Sequence, residues 1–565
     1  MAFFQEVREQ EPVSQWTQLT IIAQDPSIRV GREILTARVA VPAEELLPGP
    51  RGARFHVVDY DASQGALVPP AVIGPDDRFA NAPNSVLTSD TDFRAQNVYA
   101  IAARTLAAFE QALGRRLGWA FRGHQLYLVP RAFPELNAYY SPEDGAILFG
   151  YLPISGGELR TCLSHDVVAH ETTHAVLDGL RPRFAEPGLP DQPAFHEALG
   201  DIVALLSVFS QQEVVERLLG PADDDGRIDR RRLTPRALQR TALFGLAEEL
   251  SRSAGGERGS GLRRSIDLEA SPAWRTKREF VEPHRRGEVV VAAVMETLLR
   301  MWAGRLKPIV VAPRVDRERV AEEGAKAASH LLGMILRGID YMPPVELEFE
   351  DVVDSILKAD EVVAPDDEKH EYRTALEESF RAFDIVRPPL GIIDLTRTAG
   401  PVYERMNFAA LRSDADEVFR FIWENADVFG VSRDYRLHVE SVEPSIRVGP
   451  NGLMVGEVVA TYVQSLELTA AELRDRGVTL PRGLKPATEL QVWGGGVLIF
   501  DQFGRSKYHQ TKPLDDWPRQ QRRLEYLVSQ GLGDSHGRFG FSLSTPKGQR
   551  FAALHVSNER AGEDW

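Results

Sequence analysis

His170-Glu171-Thr172-Thr173-His174-Ala175-Val176-Leu177-Asp178-Gly179 sets two histidines four residues apart with a glutamate directly after the first. Residues four apart share one face of an α-helix. The imidazoles of His170 and His174 can therefore grip a single metal ion. Glu171 falls on the adjacent edge, where a carboxylate can hold a metal-bound water without ligating the metal itself. The flanking residues support the helix. Ser164 is of N-cap type, Asp166 puts a negative charge in the first turn, and Gly179 followed by Pro182 supplies a stop. Val167, Val168, Ala169, Ala175, Val176 and Leu177 form its apolar body. The competing expectation is an ordinary buried helix that carries two histidines.

Downstream, Phe195-His196-Glu197-Ala198-Leu199-Gly200-Asp201 opens a second apolar helix running on through Leu206. A catalytic zinc site takes three protein ligands and keeps one position for water. Glu197 is the natural third ligand. Asp201, one turn on, can accept the free N–H of a ligating histidine and fix its tautomer. His196 is a competing ligand, but it lies about 100° round the helix from Glu197. The macrodipole alone also favours acids in a first turn, which is the bland account of Glu197 and Asp201.

At these residues the chain resembles thermolysin-like zinc metallopeptidases, members of the gluzincins. Asp166 to Asp178 is similar to their zinc helix, and Glu197 with Asp201 to their third-ligand helix. Leu136-Asn137-Ala138-Tyr139-Tyr140, followed by Ala146 to Gly150, resembles the edge-strand segment that binds extended substrate, a segment shared with neprilysin-type peptidases. The resemblance implies that Asn137 and Ala138 contact the peptide main chain. Gly261 to Asp267 is similar to the loop carrying a substrate-binding arginine, for which spacing favours Arg263 over Arg264. Pro283-His284-Arg285-Arg286-Gly287-Glu288-Val289 resembles the segment whose histidine stabilises the tetrahedral intermediate. That makes His284 the second catalytic residue, with Glu279 or Glu282 as its acidic partner, ahead of an apolar helix from Val289 to Leu299.

The resemblance implies an α+β, thermolysin-like two-lobe metallopeptidase with a β-rich N-terminal lobe and a helical C-terminal lobe. It also implies one zinc per chain, held by His170, His174 and Glu197, and hydrolysis of internal peptide bonds with Glu171 as general base. The chain departs from the family in three ways. No tyrosine occurs between Leu180 and Phe195, where the family has one for the oxyanion; Phe184 stands near that place. Oxyanion donors are worth roughly 2.7–4 kcal/mol each, so weaker turnover or a different preference is expected. Asp166 matches a family calcium ligand, but no carboxylate cluster follows Asp201, which makes calcium doubtful. The secretory pre-pro region of the family is not found.

Composition narrows the rest. With 43% hydrophobic and 26% charged residues, the 565-residue chain reads as globular, with about two to four domains. Its net charge of −16 disfavours nucleic acid and anionic membranes as partners. One cysteine, Cys162, rules out an intramolecular disulfide framework and reads as a small buried hydrophobe. No apolar run approaches the roughly 20 residues of a membrane span. The start lacks a signal peptide, so a cytoplasmic location is expected, with non-classical export left open.

The organisation expected is a strand-rich extension (1–54), a β-rich lobe with a long helix from Ala95 to Leu117 (55–160), a helical catalytic lobe (161–390) and an α+β accessory region (391–565). In the last, Ser413 caps a helix through Asn425. Strand-like runs follow at 435–442, 455–465 and 489–501, then a helix from Pro518 to Ser529. Gly494–Gly496 reads as a turn or bulge. Pro26-Ser-Ile-Arg-Val-Gly31 recurs at Pro444–Gly449, which suggests that extension and tail share one β-rich unit. The expected partner is a peptide or protein substrate, with a regulatory partner possible at the C-terminal region and access to the cleft restricted by the tail or the extension. The alternative function is a catalytically impaired zinc-binding scaffold on the same fold. An aminopeptidase ranks last, because no anchor for a free α-amine is evident.

Overall fold

A computed structural model describes residues 15–26, 29–30, 33–74, 76–154, 157–186, 188–238, 264–386, 401–403, 406–449, 452–482, 484–530 and 538–539. The fold is mixed α+β with several separate sheets.

Strands β1 (Trp16–Ile22) and β2 (Thr36–Pro42) form an antiparallel pair. It packs on helix α1 (Thr91–Leu113), which the sequence placed four residues too late at both ends. The reason lies at the caps. Asp90 accepts the N–H groups of Asp92 and Phe93, and Gly114 takes the left-handed conformation (φ 67°) that ends the helix. Ile446 N–H bonds the Gly114 carbonyl, and a Cβ on Gly114 would stand 2.2 Å from the Ile446 oxygen, so this position also needs glycine for contact.

A second sheet carries β3 (Phe55–Val57), β4 (Leu126–Phe133), β5 (Ala138–Ser141), β6 (Ala146–Ile154) and β7 (Gly157–Arg160). The spatial order is β7-β6-β4-β3, with β3, β4 and β6 parallel. Strand β5 pairs antiparallel with the first half of β6 and β7 with its second half.

The helical layer follows: α2 (His165–Leu180), α3 (Asp191–Phe209), α4 (Pro283–Leu306), α5 (Arg317–Gly338), α6 (Phe349–Val363) and α7 (Tyr372–Ala382). One continuous hydrophobic core runs from Leu19 in β1 to Ile385 beyond α7, so this sheet-and-helix assembly shares a single interior. Two helices begin earlier than the sequence suggested. Helix α3 starts at Asp191, putting Glu197 in its second turn, and α4 starts at Pro283, putting His284 in its first turn. Pro283 sits at a helix start, where a missing N–H costs nothing, and Glu282 caps it by accepting from His284 and Arg285.

The C-terminal region has its own apolar clusters. It contains α8 (Ala415–Glu424), an antiparallel meander β8 (Arg436–Val448), β9 (Met454–Thr469), β10 (Glu489–Asp501), β11 (Ser506–Lys512), and α9 (Trp517–Ser529). Asp414, not Ser413, caps α8. Gly494–Gly496 is neither turn nor bulge. It lies inside β10, where added Cβ atoms would meet Leu514 N, Tyr462 O and Gln510 O at 2.5 Å. The two copies of the repeated hexapeptide do not share a sheet. Arg29–Val30 pairs with Glu33–Ile34, whereas Pro444–Val448 belongs to β8 and pairs with β9.

This region is seated on the helical layer by buried charge. Asp340, fully buried, takes both guanidinium nitrogens of Arg115 (2.6 and 2.7 Å) and also pairs with Arg447 of β8. Glu457 of β9 accepts the Tyr341 hydroxyl at 2.9 Å, and Lys512 of β11 reaches Glu348 (2.9 Å) and Asp351 (2.6 Å). Among the described residues no single helix is long and apolar enough to cross a membrane. The bent pair formed by α3 and Gln212–Leu218 passes that test jointly, but α3 is buried core.

Candidate metal centre

Helix α2 is buried along nearly its whole length, held on one side by α1 and on the other by α3. Ser164 does not cap it through the backbone. Its hydroxyl bonds Asp25 (2.8 Å) and Asp166 (2.7 Å) instead, tying the segment after β1 to the helix start. The Asp166 carboxyl is pushed up to about 6, chiefly by burial and partly by Asp25.

His170, His174 and Glu197 converge. Their donor atoms all lie within 4.8 Å of one another, and all three residues are buried. His170 Nε2 stands 3.5 Å and His174 Nε2 3.8 Å from the Glu197 carboxylate. Ligands bound at about 2.0–2.1 Å around a tetrahedral zinc stand about 3.4 Å apart. The spacing and the two-imidazole, one-carboxylate donor set thus suit such an ion, and the set can hold a metal. His196 packs against the His174 ring (centroids 4.6 Å apart) and is not one of the converging donors. Burial holds its imidazole down to about 4.

Asp201 lies where expected, with Oδ1 2.9 Å from His170 Nδ1. That contact leaves Nε2 of His170 directed at the donor cluster. Gly200, one residue earlier, was not singled out from the sequence. A Cβ there would stand 2.7 Å from two His170 ring atoms, so the ring rests on bare backbone of α3.

Glu171 is fully buried, and its Oε2 accepts the N–H of Tyr140 in β5 at 3.1 Å. The Tyr140 hydroxyl donates to Asp178 of α2 (3.2 Å), stapling the same strand to the same helix. This support for Glu171 was missed, because nothing in the spacing of Tyr140 announces it. Ala138 is buried at the start of β5. Asn137 is exposed, with its side chain accepting from Ala138 N–H (2.8 Å) and its carbonyl accepting from Gly150 N–H (2.8 Å).

His284 reaches the site from α4. Its Nε2 stands 3.1 Å from Glu197 and its Nδ1 2.9 Å from Glu282, so Glu282 rather than Glu279 is the acidic partner. Gly287, one turn on, makes this possible: a Cβ there would meet the Ala194 carbonyl at 2.7 Å, so α4 and α3 touch backbone to backbone beside the His284–Glu197 contact. Burial disfavours the imidazolium, but Glu197 and Glu282 outweigh it and hold His284 well above its ordinary range. Burial likewise opposes the Glu197 charge, while His284 and His174 keep its carboxyl well below the usual range.

Arg263 lies outside the described residues. Arg264 is described, pairing with Glu288 of α4 at 2.7 Å. Phe184 is core, fully buried edge-on against Phe195 (6.2 Å). Cys162 is also core, its thiol pushed up to about 12 by burial. The linker between the metal helices is pinned from the C-terminal region: Arg183 pairs with Glu440 of β8 and stacks 4.1 Å over Trp493 of β10.

No family model and no curated protein matches the chain.

Proposed function

We propose that the protein is a zinc-dependent endopeptidase of thermolysin-like, two-lobe design. The observation that carries the reading is the convergence of His170, His174 and Glu197 beside a buried Glu171 whose carboxylate is held against β5. A purely structural metal site has no use for that carboxylate. A zinc ion bound by the three side chains would supply Lewis acidity and acidify a water in its fourth position.

The residues divide the remaining work. Glu171 accepts the proton of the attacking water and hands it to the leaving amine. Tyr140 N–H fixes the carboxylate for both transfers. Asp201 holds the His170 tautomer, and His284, kept cationic by Glu197 and Glu282 and anchored to Glu282 through Nδ1, exchanges its Nε2 contact with Glu197 for the oxyanion of the tetrahedral species. Strand β5, with Asn137 and Ala138 at its start, offers main-chain groups to an extended peptide. The alternative, a zinc-bearing scaffold without turnover, draws on Phe184 being sealed in the core where an oxyanion tyrosine is expected.

The test is cleavage of a peptide library by the zinc-loaded protein beside Glu171→Gln. Cleavage by the wild type, lost in the variant while one zinc per chain is retained, supports the endopeptidase. Activity surviving the substitution refutes Glu171 as base. No cleavage by either protein, with zinc bound, favours the scaffold.

A further inference from the structure

Helix α2 brings two of the converging donors and α3 the third, so the centre depends on how these helices stand against each other. Ligand distances at a metal site hold to within about 0.2 Å. Glu197 stands about 9 Å along the axis from Asp191, the first residue of α3. Whatever holds the start of α3 therefore bears on the third donor.

The first two side chains of α3 are both buried and both tied to other segments. Gln192 donates through Nε2 to the carbonyls of Arg183 (2.9 Å) and Glu186 (2.8 Å) in the linker after α2, and its Oε1 accepts the Leu347 N–H (3.4 Å). Asp191 takes Arg286 of α4 with one oxygen and the Phe349 N–H with the other (2.9 Å). Two segments thus bracket the start of α3: the linker 182–186, and 345–349 leading into α6.

The C-terminal region grips both brackets. Arg183 pairs with Glu440 of β8 and lies over the Trp493 ring of β10 (4.1 Å). Trp493 is fixed in turn, its carbonyl accepting from Arg519 (3.2 Å) and Gln520 (2.8 Å) of α9. It also clusters with Val463 and with Val345 of the second bracket. There Glu346 pairs with Arg523 (2.8 Å), and Glu348 with Lys512 (2.9 Å) and Arg522 (3.1 Å).

We propose that the C-terminal region is a positioning element of the metal centre, with Arg183 and Trp493 as its positioning residues. Through the two brackets it sets α3 against α2, so that Glu197 meets the histidine pair. The proposal rests on His170, His174 and Glu197 holding zinc, and not on turnover. It applies equally to the endopeptidase and to the scaffold.

The test compares full-length wild type with Arg183→Ala, Arg183→Lys and Trp493→Leu. Asn425→Ala is the control: it unties α8 from Val402 and touches neither bracket. Zinc affinity is read by chelator competition. Amide exchange of residues 195–198, which bond back to the first turn of α3, is read in metal-free protein relative to α5. Arg183→Ala and Trp493→Leu are expected to weaken zinc binding and to speed that exchange, each about tenfold. Arg183→Lys keeps a charge over the ring and recovers part of both losses. Asn425→Ala lowers the melting temperature and leaves zinc affinity unchanged. Unaltered zinc affinity or unaltered exchange in Arg183→Ala overturns the proposal, as does an equal loss of zinc affinity in Asn425→Ala. Should Trp493→Leu fail to fold, the two Arg183 variants decide. If the wild type binds no zinc, the metal reading fails by itself, and exchange in Arg183→Ala alone decides whether the C-terminal region positions α3.

Discussion

One methyl group on Gly200 would press against the His170 ring, 2.7 Å from Cε1 and Nδ1. Either the ring turns and loses Asp201, or α3 moves and carries Glu197 away from its partners. Gly200→Ala is therefore expected to weaken zinc binding at the proposed site by 10- to 100-fold, the range seen when groups supporting a ligand are lost, as read by competition with a chromogenic chelator. Unchanged affinity would show that the ring does not depend on that gap. His284→Ala should lower kcat by about 10²–10³ if the imidazolium meets the oxyanion, with KM for peptide little moved. An equal fall in zinc content would instead make His284 a prop for Glu197. The histidine pair and Glu171 were legible because i, i+4 geometry is local. Gly200 and Tyr140 were not, because their roles exist only where a second helix and a strand press on α2.

Elements formed largely where apolar periodicity put them, and their ends moved where a cap or a contact intervened. Helix α4 begins at Pro283 because Glu282 captures two backbone N–H groups, a signal visible in Glu-Pro-His but outweighed by the apolar run from Val289. The glycine run in β10 misled because glycine usually breaks strands, yet here neighbouring backbone leaves no room for side chains. On the adjacent strand β11, His509 is fully buried, with Nε2 2.7 Å from the Tyr462 hydroxyl, and burial holds its imidazole down to about 3. Above pH 6.5 neither folded nor unfolded chain protonates it. As pH falls below 6.5 the unfolded chain takes up a proton that the folded one refuses. This group then removes about 1.4 kcal/mol of stability per pH unit until its folded value is reached. His509→Gln should accordingly lose less stability than wild type between pH 7 and 5, by roughly 2 kcal/mol in urea unfolding. Parallel curves for the two proteins would refute a buried neutral histidine.

At the scale of the molecule, the C-terminal region and the helical layer meet through an apolar contact of Tyr341 and Ala359 with Val459, Val497, Ile499 and Tyr508 and through buried charges centred on Asp340. Asp340→Asn leaves Arg115 and Arg447 facing each other without their shared carboxylate, and should cost about 3–5 kcal/mol. A melting-temperature drop within error of zero would mean the network is not needed for stability. The same contact surface carries the Arg183 stack on Trp493, so the region of unknown role reaches the linker between the two metal helices. Nothing in residues 434–500 advertised this, since Glu440, Arg447 and Glu457 look like the charged face of an ordinary exposed sheet until Asp340 and Tyr341 are set against them.

The histidine pair with Glu171 beside it was determined by sequence alone, because an α-helix converts spacing into direction without help from the rest of the chain; that Glu197 meets the pair was decided by the packing of α3 on α2. Mixed α+β character was implied by the family resemblance, while hydrophobic periodicity located individual helices and strands within it. Tertiary structure decided which acid partners His284, which glycines are obligatory, that the repeated hexapeptide is split between two sheets, and how the tail is seated. Each of these is a contact between residues far apart in the chain, and no local pattern encodes a distance that folding alone creates.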